Sequence, residues 1–129
     1  MLKKILSVAL VVQFMSCQKN DVEKLESDLT VKNGLVITQF IEDGENELND
    51  VKDYVFTFTD NGKVSAIKNN VTTTVTYRVF KDDGKTELMM NFTNNPDLSE
   101  LSDDWYFVSS ENGQITFEEE NDLLVFKNK

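Results

Sequence analysis

The chain has 129 residues and a formal net charge of −10, a length that suits one domain. The first 16 residues contain two lysines and no acid, so the remainder has 11 basic and 23 acidic residues and a net charge of −12. A chain this acidic repels nucleic acid, which excludes nucleic-acid binding. Histidine is absent and cysteine occurs once, which excludes Ser-His and Cys-His pairs, the usual zinc sites and disulfides. We therefore expect no enzyme, no metal and no cofactor.

The N-terminus has the features of a targeting segment. Two early lysines precede an apolar run over residues 5–14, which is too short for the about 20 residues that span a bilayer. The run ends in Phe14-Met15-Ser16-Cys17, which resembles the lipobox of bacterial lipoproteins. We predict that residues 1–16 are a lipoprotein signal peptide. Cys17 is then the lipidated first residue of the mature chain, held in the membrane by fatty acyl chains such as palmitate.

Residues 17–33 are interpreted as the anchor and a polar tether. Val22, Leu25 and Leu29 fall at helical spacing, so a short helix and a flexible tether both fit. The stretch from Gln18 to Glu23 resembles the Lys-plus-acid signal that sends lipoproteins of one Gram-negative phylum to the outer face of the outer membrane. A solvated linker is the alternative. The predicted location is the bacterial outer membrane, either surface-exposed or on the periplasmic face.

From residue 34 onward the pattern changes to period two. Five glycines, each preceded by Asn or Asp, mark tight turns between runs of β-branched and aromatic residues. The eight predicted strands are Leu35–Ile41, Tyr54–Thr59, Lys63–Lys68, Val71–Phe80, Thr86–Phe92, Trp105–Ser110, Gln114–Glu119 and Leu123–Lys127. Residues 42–53 and 93–104 are predicted loops, the second with a helical turn over Asp97–Leu101. Apolar and polar residues alternate along the strands, which predicts an all-β fold, an eight-stranded antiparallel up-and-down barrel over residues 34–129.

Over residues 34–128 the chain resembles the lipocalin-like domains of small bacterial lipoproteins. The stretches that carry the resemblance are Tyr54 to Val64, Leu88 to Phe92, Asp103-Asp104-Trp105 and Leu124-Val125-Phe126. The family commonly opens its first strand with Trp, where this chain has Leu35. The resemblance implies an eight-stranded barrel that can bind a small apolar molecule, and it implies no enzyme.

One face of the predicted strands supplies a candidate ligand-binding wall. Its members are Ile37, Phe56, Phe58, Tyr77, Leu88, Met90, Trp105, Phe107, Ile115 and Phe117. As the lining of a cavity they would be apolar, with the Tyr77 hydroxyl as a polar group. As a packed core they need no ligand. A cavity that opens at the two predicted loops would separate these alternatives.

Several acidic clusters could be sites of chemistry. Asp60-Asn61-Gly62 and Asp82-Asp83-Gly84 lack the twelve-residue loop of a calcium site, so hairpin turns are favoured. A solvated turn is likewise favoured for Glu118 to Asp122. Asp103 and Asp104 precede Trp105 and could form a glycosidase pair, but the end of a loop next to a core Trp is the better interpretation.

Two functions remain open from the sequence. In the first, a lipid-anchored outer-membrane lipoprotein binds a small apolar ligand in its barrel. In the second, the barrel has a packed core and acts as a protein-interaction or inhibitor module of the cell envelope. The charge of −12 would then suit a basic partner. In both, the membrane is a partner through the acyl anchor on Cys17.

Overall fold

The computed structural model describes residues 21–129. The predicted signal peptide, Cys17 and the three residues that follow it lie outside the described residues. The elements in chain order are α1 (Asp21–Leu29), β1 (Leu35–Glu42), β2 (Glu45–Asn46), α2 (Leu48–Val51), β3 (Val55–Phe58), β4 (Lys63–Lys68), β5 (Val71–Asp82), β6 (Lys85–Met90), a 3-10 turn (Ser99–Leu101), β7 (Asp104–Glu111), β8 (Gln114–Glu119) and β9 (Asp122–Asn128).

Eight of these strands form a closed antiparallel barrel. Apart from β2, which pairs with β1 alone, each strand pairs with the next along the chain, and β9 pairs back with β1. The β1–β3 contact is narrow, a single pair between Leu35 and Phe56. The predicted all-β, up-and-down barrel is confirmed, with the bounds of β4 and β8 as predicted and the other strand ends within two residues.

Four hairpins turn through pairs of residues with positive φ. Three pairs are Asx-Gly dipeptides, Asp43-Gly44, Asp83-Gly84 and Asn112-Gly113. The fourth is Asn69-Asn70, with φ of 52° and 64°. Two successive positive φ angles are the geometry of the type I′ turn, which matches the twist of the strands it joins. Asn tolerates this conformation better than most residues, which explains a tight turn without glycine.

The predicted loop between the first two strands is partly ordered. Residues 42–53 contain the short strand β2 and the single helical turn α2, whose Val51 is buried. At the other predicted loop the helical turn forms as a 3-10 turn over Ser99–Leu101.

The barrel has two structurally different ends. The helix end comprises residues 21–34, 59–63, 81–86, 111–114 and 127–129, and the loop end comprises residues 42–54, 68–71, 91–104 and 119–122. Helix α1 lies across the helix end, since Asp21 lies beside the 83–84 turn and Asp28 beside the 112–113 turn. Leu25 and Leu29 of this helix are fully buried. The apolar spacing of Val22, Leu25 and Leu29 is compatible with either a helix or a flexible tether. In the structure these residues belong to a helix that packs on the barrel.

The loop end is closed by residues from two connections. Leu98 and Leu101 are fully buried, and the indole N–H of Trp105 donates to the carbonyl of Leu101 at 3.0 Å. Val51 is buried at the same end. Val71 lies an even number of residues before the buried Tyr77 along β5 but is 67% exposed. It opens β5 next to the 69–70 turn, beyond the closed core.

Candidate functional site

The barrel interior contains the residues that the sequence proposed as a ligand-binding wall. Phe107 is half-buried and packs against the core, while the others are at most 6% exposed: Ile37, Phe56, Phe58, Tyr77, Leu88, Met90, Trp105, Ile115 and Phe117. All of them belong to one continuous hydrophobic cluster. The structure thus brings the predicted set together inside the barrel.

Aromatic rings cross this interior from wall to wall. The ring of Phe126 on β9 lies 5.5 Å from that of Phe56, 5.8 Å from that of Phe58 and 6.1 Å from that of Phe117. Phe56 also contacts Phe92, which follows β6 on the other side of the barrel, at 6.1 Å. These pairs are edge-to-face, the geometry that aromatic rings prefer. These contacting rings lie inside the barrel, where a ligand would have to displace them.

Several core residues were not in the predicted set. They include Leu25, Leu29, Phe40, Phe92, Leu98, Leu101, Leu124 and Phe126. Leu124 and Phe126 alternate along the last strand, so the period-two pattern could have found them. Leu98 and Leu101 lie in the connection between β6 and β7. Their burial depends on this loop folding back over the barrel, and strand periodicity does not predict that.

A surface cavity of about 330 Å³ lies beside the interior. Its lining includes Tyr77 and Met90 from the predicted set, together with Met89, Arg78 and Ser102. Met89 is 36% exposed on the outer face of β6. This cavity is a second place, outside the packed core, where an apolar group could lie.

The charge of the molecule is concentrated at the loop end. This end has two lysines, Lys52 and Lys68, and thirteen acidic residues: Glu42, Asp43, Glu45, Glu47, Asp50, Asp53, Asp97, Glu100, Asp103, Asp104, Glu119, Glu120 and Asp122. The helix end has seven lysines, Lys24, Lys32, Lys63, Lys81, Lys85, Lys127 and Lys129, and eight acidic residues: Asp21, Glu23, Glu26, Asp28, Asp60, Asp82, Asp83 and Glu111. The net charges are −11 and −1, so the two ends present very different surfaces to solvent.

Closure of the barrel gathers carboxylates at the loop end. Glu42 ends β1, Asp122 begins β9 and Asp103 precedes β7, and one carboxylate oxygen from each lies within 4.8 Å of the others. The backbone N–H of Asp43 donates to Asp122 Oδ1 at 2.9 Å. These three carboxylates could contact a hard cation, but Ca²⁺ takes six to eight oxygen ligands, so they do not by themselves form a calcium site.

Two carboxyl groups here have pKa values raised towards neutral pH or above. Burial, followed by the negative charges of Asp122 and Asp103, raises the pKa of Glu42 to about 7. Burial and a hydrogen bond with Asp103 raise the pKa of Glu119 to about 8. Within residues 21–129, Glu42 Oε2 and Glu119 Oε2 are buried atoms without a hydrogen-bond partner. The carboxylates are distant in sequence, and only the β1–β9 pairing brings them together, so sequence patterns could not find the cluster.

The fold and this site define a class of protein, a closed antiparallel barrel with a hydrophobic core and an acidic end. Comparisons of the chain with protein-family models, with curated proteins and with solved structures find no match. Among residues 21–129, no helix is long and apolar enough to cross a bilayer.

Proposed function

We infer that this chain is a lipid-anchored lipoprotein of the bacterial outer membrane, attached through Cys17, whose lipocalin-like barrel binds a basic protein of the cell envelope. The observation that carries this proposal is the charge distribution, −11 at the loop end against −1 at the helix end. A single-sign surface of this kind attracts a partner of opposite charge and accelerates its association.

The anchor rests on the sequence. A positively charged start, an apolar run of about ten residues and a small residue before the single cysteine occur in the order that lipoprotein export requires. Because the chain has no histidine and no second cysteine, attachment is the role that best fits Cys17. Acyl chains contribute about 0.8 kcal/mol per buried methylene, so two or three chains hold a protein in a membrane.

The packed interior supports a role for the barrel surface. Phe126 contacts Phe56, Phe58 and Phe117 in the middle of the barrel. Helix α1 covers one end, and Leu98 and Leu101 cover the other. A ligand would have to displace these rings and one of the two covers, which favours a partner bound on the outside.

The anchor is tested by expressing the full chain in a Gram-negative host and measuring its intact mass in the membrane fraction. The expected mass is that of residues 17–129 plus the acyl groups. Cys17→Ser should lose both the cleavage and the membrane association, while Ser16→Ala keeps a small residue at the cleavage site and should retain them. A wild-type chain of unmodified mass in the soluble fraction would refute the anchor.

The partner is tested by crosslinking in intact cells with two matched variants. The loop-end variant carries Asp50→Asn, Asp53→Asn and Glu100→Gln, and the helix-end variant carries Asp60→Asn, Asp82→Asn and Glu111→Gln. All six residues are exposed, and each variant removes three charges. We expect one dominant basic partner, lost at high salt and lost in the loop-end variant alone. Equal crosslinking by both variants would refute the assignment of the loop end.

A small apolar ligand is the second candidate, because the cavity of about 330 Å³ borders Tyr77 and Met90. A fluorescent fatty-acid analogue should then bind in a displaceable manner. Met89→Gln should weaken this binding, since Met89 lines the cavity and is partly exposed. Val108→Gln, an exposed apolar residue on β7, is the control. Absence of displaceable binding would exclude this function.

A further inference from the structure

We propose that the helix end of the barrel lies against the membrane and that the loop end points away from it. The inference rests on the proposed lipidation of Cys17 and adds the orientation of the barrel and the surface that meets the lipid. The partner of this surface is the bilayer that holds the acyl chains of Cys17. Three features of the chain lead to it: the length of the linker, the attachment of helix α1 and the distribution of lysines.

The linker between the anchor and the folded part is short. Helix α1 begins at Asp21, so only three residues separate it from Cys17. A fully extended chain gains at most about 3.6 Å per residue, so the four residue steps from Cys17 to Asp21 span at most about 14 Å. The start of the helix is therefore held within about 14 Å of the lipidated residue, whatever path the linker takes.

Helix α1 is firmly attached to the helix end. Leu25 and Leu29 are fully buried in the core. Ser110 Oγ on β7 donates a hydrogen bond of 2.6 Å to Asp28 Oδ2, and Lys24 pairs with the same carboxylate at 2.9 Å. The Lys24–Asp28 pair lies within the helix, so the helix can leave the barrel only by exposing two leucines and breaking the Ser110–Asp28 hydrogen bond. The anchor thus leaves the barrel from the helix end.

The charges favour the same orientation. A lysine near an anionic membrane surface contributes about 1 kcal/mol of attraction, and an acid is repelled. Seven of the ten basic side chains in residues 21–129 lie at the helix end, including Lys85 beside the start of α1, and with the eight acidic residues there they leave this end at a net charge of −1. The loop end has a net charge of −11. A six-residue strand is about 20 Å long, so tipping the barrel over would bring most of the acidic charge to the lipid surface.

The orientation is tested with the full-length lipidated protein in vesicles of phosphatidylcholine and phosphatidylglycerol that contain a lipid with a nitroxide on its headgroup. Asn33→Cys at the helix end and Asn94→Cys at the loop end form a matched pair, because both replace an exposed asparagine. Each cysteine carries the same fluorophore, and circular dichroism checks the fold of each variant. We expect quenching at position 33 to be at least twofold stronger than at position 94.

Two results would overturn the inference, and they are distinguishable. If the protein floats with the vesicles but positions 33 and 94 are quenched equally, or position 94 more strongly, the orientation is wrong while the anchor stands. If the protein from the membrane fraction carries no acyl group and does not float with the vesicles, the proposed function fails and the orientation fails with it.

Discussion

Glu42 makes the stability of the barrel dependent on pH in a direction opposite to that of an ordinary salt-bridged acid. Its pKa is raised from 4.5 to about 7 in the folded protein, because the side chain is buried next to Asp122 and Asp103. Between these values the folded chain keeps a proton that the unfolded chain has lost, so the free energy of unfolding falls as pH rises. Glu119, whose pKa is about 8, extends this window upward.

The size of the effect follows from the pKa difference. Each pKa unit corresponds to about 1.4 kcal/mol, which would give roughly 3 kcal/mol for an unscreened carboxyl. Glu42 is partly exposed and solvent screens it, so we expect about 1 kcal/mol. Glu42→Gln should therefore stabilise the protein by about 1 kcal/mol at pH 8.5 and leave it unchanged at pH 4.5, where the folded wild type is protonated.

The assay is urea unfolding at both pH values, followed by Trp105 fluorescence on the chain without residues 1–17. Glu111→Gln at the helix end removes the same charge from an exposed site and is the control. A rise in wild-type stability from pH 4.5 to 8.5 would contradict a raised pKa of Glu42, and so would equal stabilisation by Glu111→Gln and Glu42→Gln.

Three further substitutions test the fold by urea unfolding. Phe126→Ala should lower the free energy of unfolding by about 3–5 kcal/mol, because three other rings lose a contact. Val108→Ala on the exposed surface is the control and should change it by about 0.5 kcal/mol or less. Similar losses of stability in the two variants would contradict a packed interior. Gly34→Ala places a Cβ 2.9 Å from Val55 Cγ1 at a φ of 82° and should destabilise more than Gly44→Ala, where nothing lies within 4 Å and a conformational cost of about 1 kcal/mol is expected. Trp105→Phe removes the hydrogen bond that holds the 3-10 turn and should cost about 1–3 kcal/mol, and an unchanged midpoint would show that this bond does not hold the turn.

The sequence predicts the barrel well because local rules determine most of it. Gly113 marks a turn, and Ile115 and Phe117 alternate with polar residues along β8, so the position and the buried face of this strand follow from its own residues. The fold is less predictable where contacts are distant. Leu25 and Leu29 fit a helix or a tether until the barrel end provides the surface that buries them. The spacing of the two leucines alone does not predict that surface.

The carboxylate cluster at the loop end is the part of the structure that is hardest to predict from the sequence. Glu42 ends β1, Asp103 precedes β7 and Asp122 begins β9, and these three positions are distant in sequence. Their proximity depends on the register of β1 against β9, and a change of one residue in that register would turn Glu42 away from the cluster. The difference in charge between the two ends is hard to predict for the same reason, since the strand order decides which turns lie at which end of the barrel.

The pairing of β1 with β9 also constrains when this protein can fold. Leu35 on β1 pairs with Asn128 on β9, 93 positions later in the sequence. The other barrel strands pair with strands that are their neighbours along the chain. Closing so long a segment carries an entropic cost that the local hairpins avoid, so we expect ring closure to be the slow step of folding. Because β9 follows all the other strands, a chain that emerges from a translocation channel N-terminus first cannot close its barrel until β9 has passed through. If the chain is exported as proposed, the part that has left the channel before β9 is an open sheet with two free edges.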